Sequence, residues 1–246
     1  MKVLGQLREA IAPVVDLVYP PRCPLCGDGI EAQSGLCGAC WSELAIPSSL
    51  ACAGCQRPLV AKPDQPQLQC GACLSAPPRH DGVAAATFYN DASRKLVLAF
   101  KHGGRIAMAS MLARLMAARL PALDESALLV PVPLHRLRLW RRGFNQSALL
   151  ARELERLGRG KLMVDALVRT KATPALGGHG RKERAAILSN AIVANPRRSA
   201  DLRGRDVILV DDVLTSGATS DACVAALKSG GANRVTISCF ARVVDW

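Results

Sequence analysis

Apolar residues in this chain come in short unbroken runs separated by longer amphipathic stretches. Val207-Ile-Leu-Val210 is the clearest run, and it leads straight into two adjacent carboxylates, Asp211 and Asp212. A run of that length, bounded by polar and glycine residues, predicts a strand buried on both faces of a parallel sheet. Val83–Tyr89 and Ala127–Pro131 predict two more strands. Between them, Leu96, Val97 and Phe100 fall at helical spacing within Asp91–Phe100, and a second helix is predicted over Ile106–Leu120. Further helices are predicted from Gly143-Phe144-Asn145-Gln146 onward and after Thr219, with a last strand around Cys239. Strands alternating with helices predict an α/β fold. Ahead of them, Met1–Tyr19 carries Leu4, Leu7, Ile11, Val14, Val15 and Val18 at near-helical spacing, which predicts a short amphipathic helix.

In an open α/β sheet, ligands sit at the carboxyl ends of strands, which is where Asp211 and Asp212 are expected to stand. Thr215, Ser216, Gly217, Ala218 and Thr219 then open the next helix, whose free N–H groups and dipole favour an anion. Gly217 lets the backbone approach that anion, and the three hydroxyls add hydrogen bonds. Carboxylates beside a phosphate cradle suit a ligand with a diol and a phosphate, such as a ribose 5-phosphate. Two other readings fit the same pattern: a magnesium-holding strand end of a nucleotide hydrolase, or a strand-turn-helix with no ligand. The first needs a P-loop lysine motif, and Gly160-Lys161 fails it, with Leu162 after the lysine and Glu155 where the first glycine belongs.

Eight of the ten cysteines form four C-x-x-C pairs, Cys23/Cys26, Cys37/Cys40, Cys52/Cys55 and Cys70/Cys73, with ten, eleven and fourteen residues between successive pairs. Two residues between thiolates let both sulfurs face one metal, and two such knuckles complete a tetrahedron. The pattern predicts two structural four-cysteine sites with Zn²⁺ as the ion. A disulfide framework conflicts with the absence of an export signal, and a redox motif would stand once, at a strand–helix junction. Iron–sulfur ligation stays open. Sequential filling joins the first two pairs and the last two; an interleaved cross-brace joins the first with the third and the second with the fourth. Short gaps favour the sequential arrangement. With little core of its own, such a segment draws its folding free energy mainly from the metal. Pro77-Pro78 closes it, so the expected organisation is an N-terminal helix over 1–20, a ribbon module over 21–78 and a body over 79–246. Cys223 and Cys239 read as buried small hydrophobes.

Half of the 246 residues are hydrophobic, which excludes a disordered chain, and 32 Lys and Arg against 20 acids give a net charge of +12. That excess favours polyanionic partners such as nucleic acid or phosphorylated substrates. No stretch of about 18 uncharged apolar residues exists, so no transmembrane helix is expected. Arg8, Glu9 and Asp16 interrupt the N-terminal stretch and no clear cleavage site follows, so a cytoplasmic location is expected.

Val207–Thr219 resembles the phosphoribosyl-pyrophosphate signature of type I phosphoribosyltransferases. Taken with Phe100-Lys101-His102-Gly103-Gly104-Arg105, Val130-Pro-Val-Pro-Leu-His135, Arg142-Gly-Phe-Asn-Gln146 and the cysteine segment, the chain is similar to the ComF family over nearly its whole length. The resemblance implies a type I phosphoribosyltransferase-like parallel sheet flanked by helices, preceded by a small four-cysteine zinc-ribbon module. It also implies a link to DNA uptake in natural competence. On this likeness Asp211 and Asp212 are the catalytic pair that holds the ribose hydroxyls, and Thr215 to Thr219 hold the 5-phosphate. Pyrophosphate goes to a loop around Pro133–Arg136, giving Leu134, His135 and Arg136 as contacts, with Arg142 and Lys101 nearby and Mg²⁺ bridging ribose and pyrophosphate. Guanidinium forks suit that charge. A loop that covers the sugar is expected within Arg169–Arg184, centred on Gly177-Gly178-His179-Gly180, with Arg184 as a further contact. There the chain departs from its relatives, with Leu176 and Ile187 where they commonly carry glutamine and asparagine.

Two functions follow. One is an enzyme that moves a ribosyl 5-phosphate from phosphoribosyl pyrophosphate to an acceptor, by positioning and charge stabilisation. The other is a non-catalytic adaptor, in which the same site senses a ligand while the ribbon and basic stretches hold single-stranded DNA or a helicase-type partner. Scarce aromatics, 4% of the chain, argue against a base-stacking platform but not against salt-sensitive backbone contacts.

Overall fold

Continuous apolar runs do build the central sheet. The computed structural model describes residues 16, 18–47, 50–59, 68–102, 106–121, 126–170 and 191–244. Among them, five strands form a parallel sheet in the order β1-β7-β6-β2-β3. These are β1 (Gly82–Phe88), β2 (Leu128–Pro131), β3 (Lys161–Leu162), β6 (Val207–Leu214) and β7 (Val235–Arg242). A separate antiparallel pair joins β4 (Leu167–Arg169) to β5 (Ile192–Ala194). The helices of the body are α3 (Asp91–His102), α4 (Met108–Ala117), α5 (Arg136–Arg142), α6 (Gln146–Arg156), α7 (Ser199–Leu202) and α8 (Ala218–Ser229), and two short turns, α1 (Gly38–Ser42) and α2 (Gly71–Ser75), lie in the cysteine segment.

Period-two alternation divides β6 between two cores. Ile208 and Val210 join Phe100, Leu112, Met116, Leu150, Leu154 and Phe240 on the face covered by α3, α4 and α6. Val207 and Leu209 join Cys223, Val224, Leu227, Ile192 and Leu202 on the face covered by α8 and the β4–β5 pair. Each such side chain contributes roughly 1.5–3 kcal/mol by leaving water. Helices on both faces explain why the strands are apolar throughout rather than alternating.

The chain progresses outward from the centre in both directions. From β2 it passes through α5 and α6 to β3, and from β6 through α8 to β7. Strand order therefore reverses between β2 and β6, and a crevice opens there at the carboxyl ends. Contrary to expectation, β6 does not stop before its carboxylates. It stays paired with β7 through Leu214, so Asp211 and Asp212 lie within the strand. The crevice exists because β2 is shorter: its last paired residue, Pro131, sits opposite Val210, and Val132 N–H donates to Val210 O at 2.9 Å. From Asp211 onward β6 has a strand neighbour on one side only.

The cysteine segment closes the sheet's other flank. As an edge strand, β1 would present unpaired backbone groups. Phe88 N–H donates to Ala45 O at 2.8 Å and Thr87 Oγ1 donates to the same oxygen at 3.0 Å. Ala85 N–H donates to Gln56 Oε1 at 2.7 Å. Leu44 is buried in the α3/α4 core with Leu25 and Leu36 beside it, so the first ribbon is anchored by apolar contacts.

Candidate functional site

Short local motifs bring separate parts of the chain to the β2–β6 crevice. α3 starts on a reciprocal cap in which Asn90 Oδ1 accepts Ser93 N–H at 3.0 Å and Ser93 Oγ accepts Asn90 N–H at 2.8 Å. Its last turn delivers Phe100 into the core and Lys101 to the crevice. Lys101 Nζ lies 3.0 Å from Asp212 Oδ2, with the two side chains 25% and 12% exposed. Gly143 ends α5 in the left-handed region at φ 77°. Asn145 then caps α6, its Oδ1 accepting Ser147 N–H at 3.0 Å, while its Nδ2 donates to Val132 O at 3.1 Å and ties the helix to the end of β2. Ser147 Oγ donates to Asp211 Oδ1 at 3.1 Å. Phe144 meets Phe100 with ring centroids 6.4 Å apart at 50°.

Burial raises the pKa of Asp211, and the charge of Asp212 beside it raises it further. The Asp212 N–H at 2.9 Å, Lys101 and Ser147 act in the opposite sense without cancelling the effect. Beyond Leu214 the chain turns through an exposed Thr215 and a half-buried Ser216 to Gly217, whose φ of 81° precedes α8. Asp221 N–H donates to Gly217 O at 2.7 Å, closing the first turn of a twelve-residue helix. Ala218 is buried and Thr219 half-buried.

The other expected contacts lie on the segment that follows β2 and on α5. Leu134 and His135 are half-buried and Arg136 is exposed. His135 is occupied in capping α5, its Nδ1 accepting Leu137 N–H at 3.3 Å. Arg142 is the last residue of α5. Of the expected covering loop, Arg169–Arg184, residues 171–184 lie outside the described residues, with Leu176 and Arg184 among them, as do Ile187 and residues 1–15 and 17 of the expected N-terminal helix. Sequence reasoning places Asn145 at a helix start without assigning it the cap, and it does not single out Ser147. The Asn-x-Ser spacing at a helix start was the available signal for the cap, but nothing local points Ser147 at Asp211.

Among the described residues, the cysteines gather as Cys23, Cys26, Cys37, Cys40 and as Cys52, Cys55, Cys70, Cys73, each set with all its sulfurs within 4.8 Å of one another. None of them is in a disulfide. Cys26 and Cys37 sulfurs are 3.5 Å apart and those of Cys55 and Cys70 3.7 Å. Four sulfurs about 2.3 Å from one zinc stand about 3.8 Å apart, so both sets fit that ion and leave no open coordination position. The grouping is sequential. Burial opposes ionisation of Cys52, but N–H groups of Cys70, Cys55 and Gly54 directed at its sulfur bring the thiol down to about 6. Backbone N–H groups do the same for Cys23. Burial instead pushes the Cys239 thiol up to about 12, as befits an inert core residue.

Two cysteine ribbons of the zinc-binding kind, docked on a phosphoribosyltransferase-like domain, are the class that this architecture defines. Residues 14–74 match the double zinc ribbon domain and residues 140–244 the phosphoribosyl transferase domain. The chain is 31% identical over 235 residues to the DNA utilization protein YhgH of Escherichia coli O6:H1, covering 93% of this chain and 100% of that one. It is 30% identical over 228 residues to competence protein F of Haemophilus influenzae, covering 90% and 96%. Competence protein ComFC of Bacillus subtilis is 36% identical over 96 residues, 39% of this chain and 36% of that one. The chain belongs to the ComF family. Among solved structures, the hypoxanthine-guanine phosphoribosyltransferase of Schistosoma mansoni overlaps 56% of this chain and 64% of its own at 15% identity, with a TM-score of 0.32. No helix among the described residues is long and apolar enough to cross a membrane.

Proposed function

We propose that this protein binds phosphoribosyl pyrophosphate with Mg²⁺ at the β2–β6 crevice, and that it serves DNA uptake or utilisation, as the names of its relatives suggest. The observation that carries the reading is the acid pair, Asp211 and Asp212, placed where β6 loses its β2 neighbour and followed within a few residues by the Gly217-led start of α8. In this reading the carboxylates take the ribose hydroxyls, and the loop from Thr215 to Thr219 takes the 5-phosphate through helix N–H groups. Ser147 fixes one oxygen of Asp211 and leaves the other for ligand. Leu134 to Arg136 and Arg142 are the proposed pyrophosphate side, and Arg184 belongs to the proposed covering loop. Hard carboxylate oxygens suit Mg²⁺, which when bound supplies positive charge to ribose and pyrophosphate oxygens. In the ligand-free protein that charge comes from Lys101, which must turn away from Asp212 and is then free to meet a phosphate. A cytoplasmic location belongs to the same proposal.

Calorimetric titration with phosphoribosyl pyrophosphate and Mg²⁺ tests it. The wild type is expected to bind one ligand per chain, and the D211N/D212N double variant to lose binding while keeping its fold. A wild type that gives no heat overturns the reading, and with it any transfer reaction.

An adaptor role is supported by a different observation. Helix α5 carries Arg136, Arg138, Arg141 and Arg142 in sequence, and projects Trp140, 84% exposed, beside an exposed Leu137. An exposed indole on a basic helix suits a single strand of nucleic acid, through stacking plus phosphate contacts.

A further inference from the structure

α8 and the second ribbon face each other across a cavity of about 1160 Å³. Arg57 of the ribbon, Arg79 and His80 of the linker, and Arg242 at the end of β7 line it, together with Ser216 and Gly217 of the loop before α8. Asp211, Asp212 and Lys101 do not. The cavity therefore shares the loop with the crevice but not the acids. Ligand pockets commonly run from about 300 to 1,000 Å³, so a nucleotide-sized molecule fits here with room to spare.

The wall is cationic. Three arginines stand against one carboxylate, Asp221. Among the described residues, Arg242 makes no ion pair with a carboxylate, and its Nε and the Nδ1 of His80 are buried without a hydrogen-bond partner. Burial first, and the charge of Arg242 second, hold the His80 pKa down to about 4, so the ring is neutral near pH 7 and adds no positive charge of its own. Pro77 and Val193 give the cavity apolar surface against which a sugar or base can lie. An open space with guanidinium groups free of carboxylate ion pairs on one wall and apolar surface on another is matched by a phosphate ester with an organic body.

We infer that this cavity is a second binding site, for a phosphate ester of nucleotide size, held on the ribbon side by Arg57, Arg79 and Arg242. The second ribbon thereby becomes a wall of a ligand site as well as a metal-stabilised fold. The inference rests on the proposed function only through the shared loop.

The test is calorimetric titration of the zinc-loaded full chain, without phosphoribosyl pyrophosphate, using thymidine 5′-monophosphate and a 5′-phosphorylated tetrathymidylate as probes. One site per chain is expected for at least one probe. R57M/R242M should weaken it by roughly tenfold or more, as loss of a charge-assisted contact implies. R79E, on an exposed side chain, should also weaken it, and keeps the test decisive if the double variant loses zinc or fails to fold. Binding of both probes identifies a free nucleotide as sufficient; binding of the oligonucleotide alone identifies a strand end. D211N/D212N should bind the probes as the wild type does, so loss of the crevice ligand and loss of this one are separable. No heat with either probe, or wild-type affinity in folded R57M/R242M and in R79E, overturns the inference.

Discussion

Lys101 Nζ and Asp212 Oδ2, from the end of α3 and the middle of β6, form a 3.0 Å ion pair at the crevice between β2 and β6. The pair matters because Asp212, itself buried, adjoins a second carboxylate, Asp211. Without the ammonium, two acids would share a confined space with no counter-charge.

Lys101→Met is therefore expected to destabilise the protein by roughly 1–2 kcal/mol in the absence of divalent cations, a value between those for exposed and fully buried pairs. Millimolar Mg²⁺ should restore part of the loss, because a cation can replace the ammonium. Urea unfolding with and without Mg²⁺ measures both effects. An unchanged midpoint in the variant would show that the pair contributes nothing.

Asp211 gives a pH dependence of definite sign. Burial and the neighbouring Asp212 place its pKa at about 7, against about 3.9 in an unfolded chain. Between those values the folded state binds the extra proton, so stability falls as pH rises from about 4 to about 7 and levels off above. Asp211→Asn removes the ionising group. Its stability should be flatter across that window and should exceed the wild type at about pH 8, as compared by denaturant midpoints.

Gly217 sits at φ 81°, a conformation in which a Cβ is strained whatever the free space around it. Gly217→Ala is expected to cost roughly 1–2 kcal/mol of stability. It should also weaken phosphoribosyl pyrophosphate binding if the loop holds the phosphate. A variant that loses stability without losing affinity would move the phosphate elsewhere.

Trp140 separates the two functional readings. Its ring is 84% exposed, so Trp140→Ala should change stability by no more than about 0.5 kcal/mol. If α5 meets single-stranded DNA, the same change should weaken oligonucleotide binding by roughly 1–3 kcal/mol, with the remaining affinity still falling with salt. Fluorescence anisotropy at two salt concentrations decides the point.

Much of this arrangement was legible in the sequence, for local reasons. Val207–Val210 and Ala127–Pro131 announce buried strands because both faces of the sheet are covered. The C-x-x-C pairs announce two metal sites because each knuckle is set by its own two-residue spacing. The sequence misjudged where β6 ends, because strand length there depends on β7 continuing as a partner while β2 stops. Ser147 and Asp211 lie on separate elements, and no periodicity relates them. The two-residue β3 and three-residue β4 and β5 are too short to leave a pattern. Hardest to foresee was the sealing of β1, since Ala45 contributes only its carbonyl oxygen, a group every residue possesses.

That carbonyl links metal supply to self-association. Ala45 lies a few residues past the Cys37/Cys40 knuckle and Gln56 directly after the Cys52/Cys55 knuckle, so the groups that occupy the free side of β1 are positioned by the two metal-binding folds. A chain starved of zinc would keep its five-stranded sheet but expose one side of it, a template for pairing with another copy. The natural measure of zinc depletion in this protein is thus the appearance of sheet-paired oligomers, seen by light scattering before the helical signal of the body is lost.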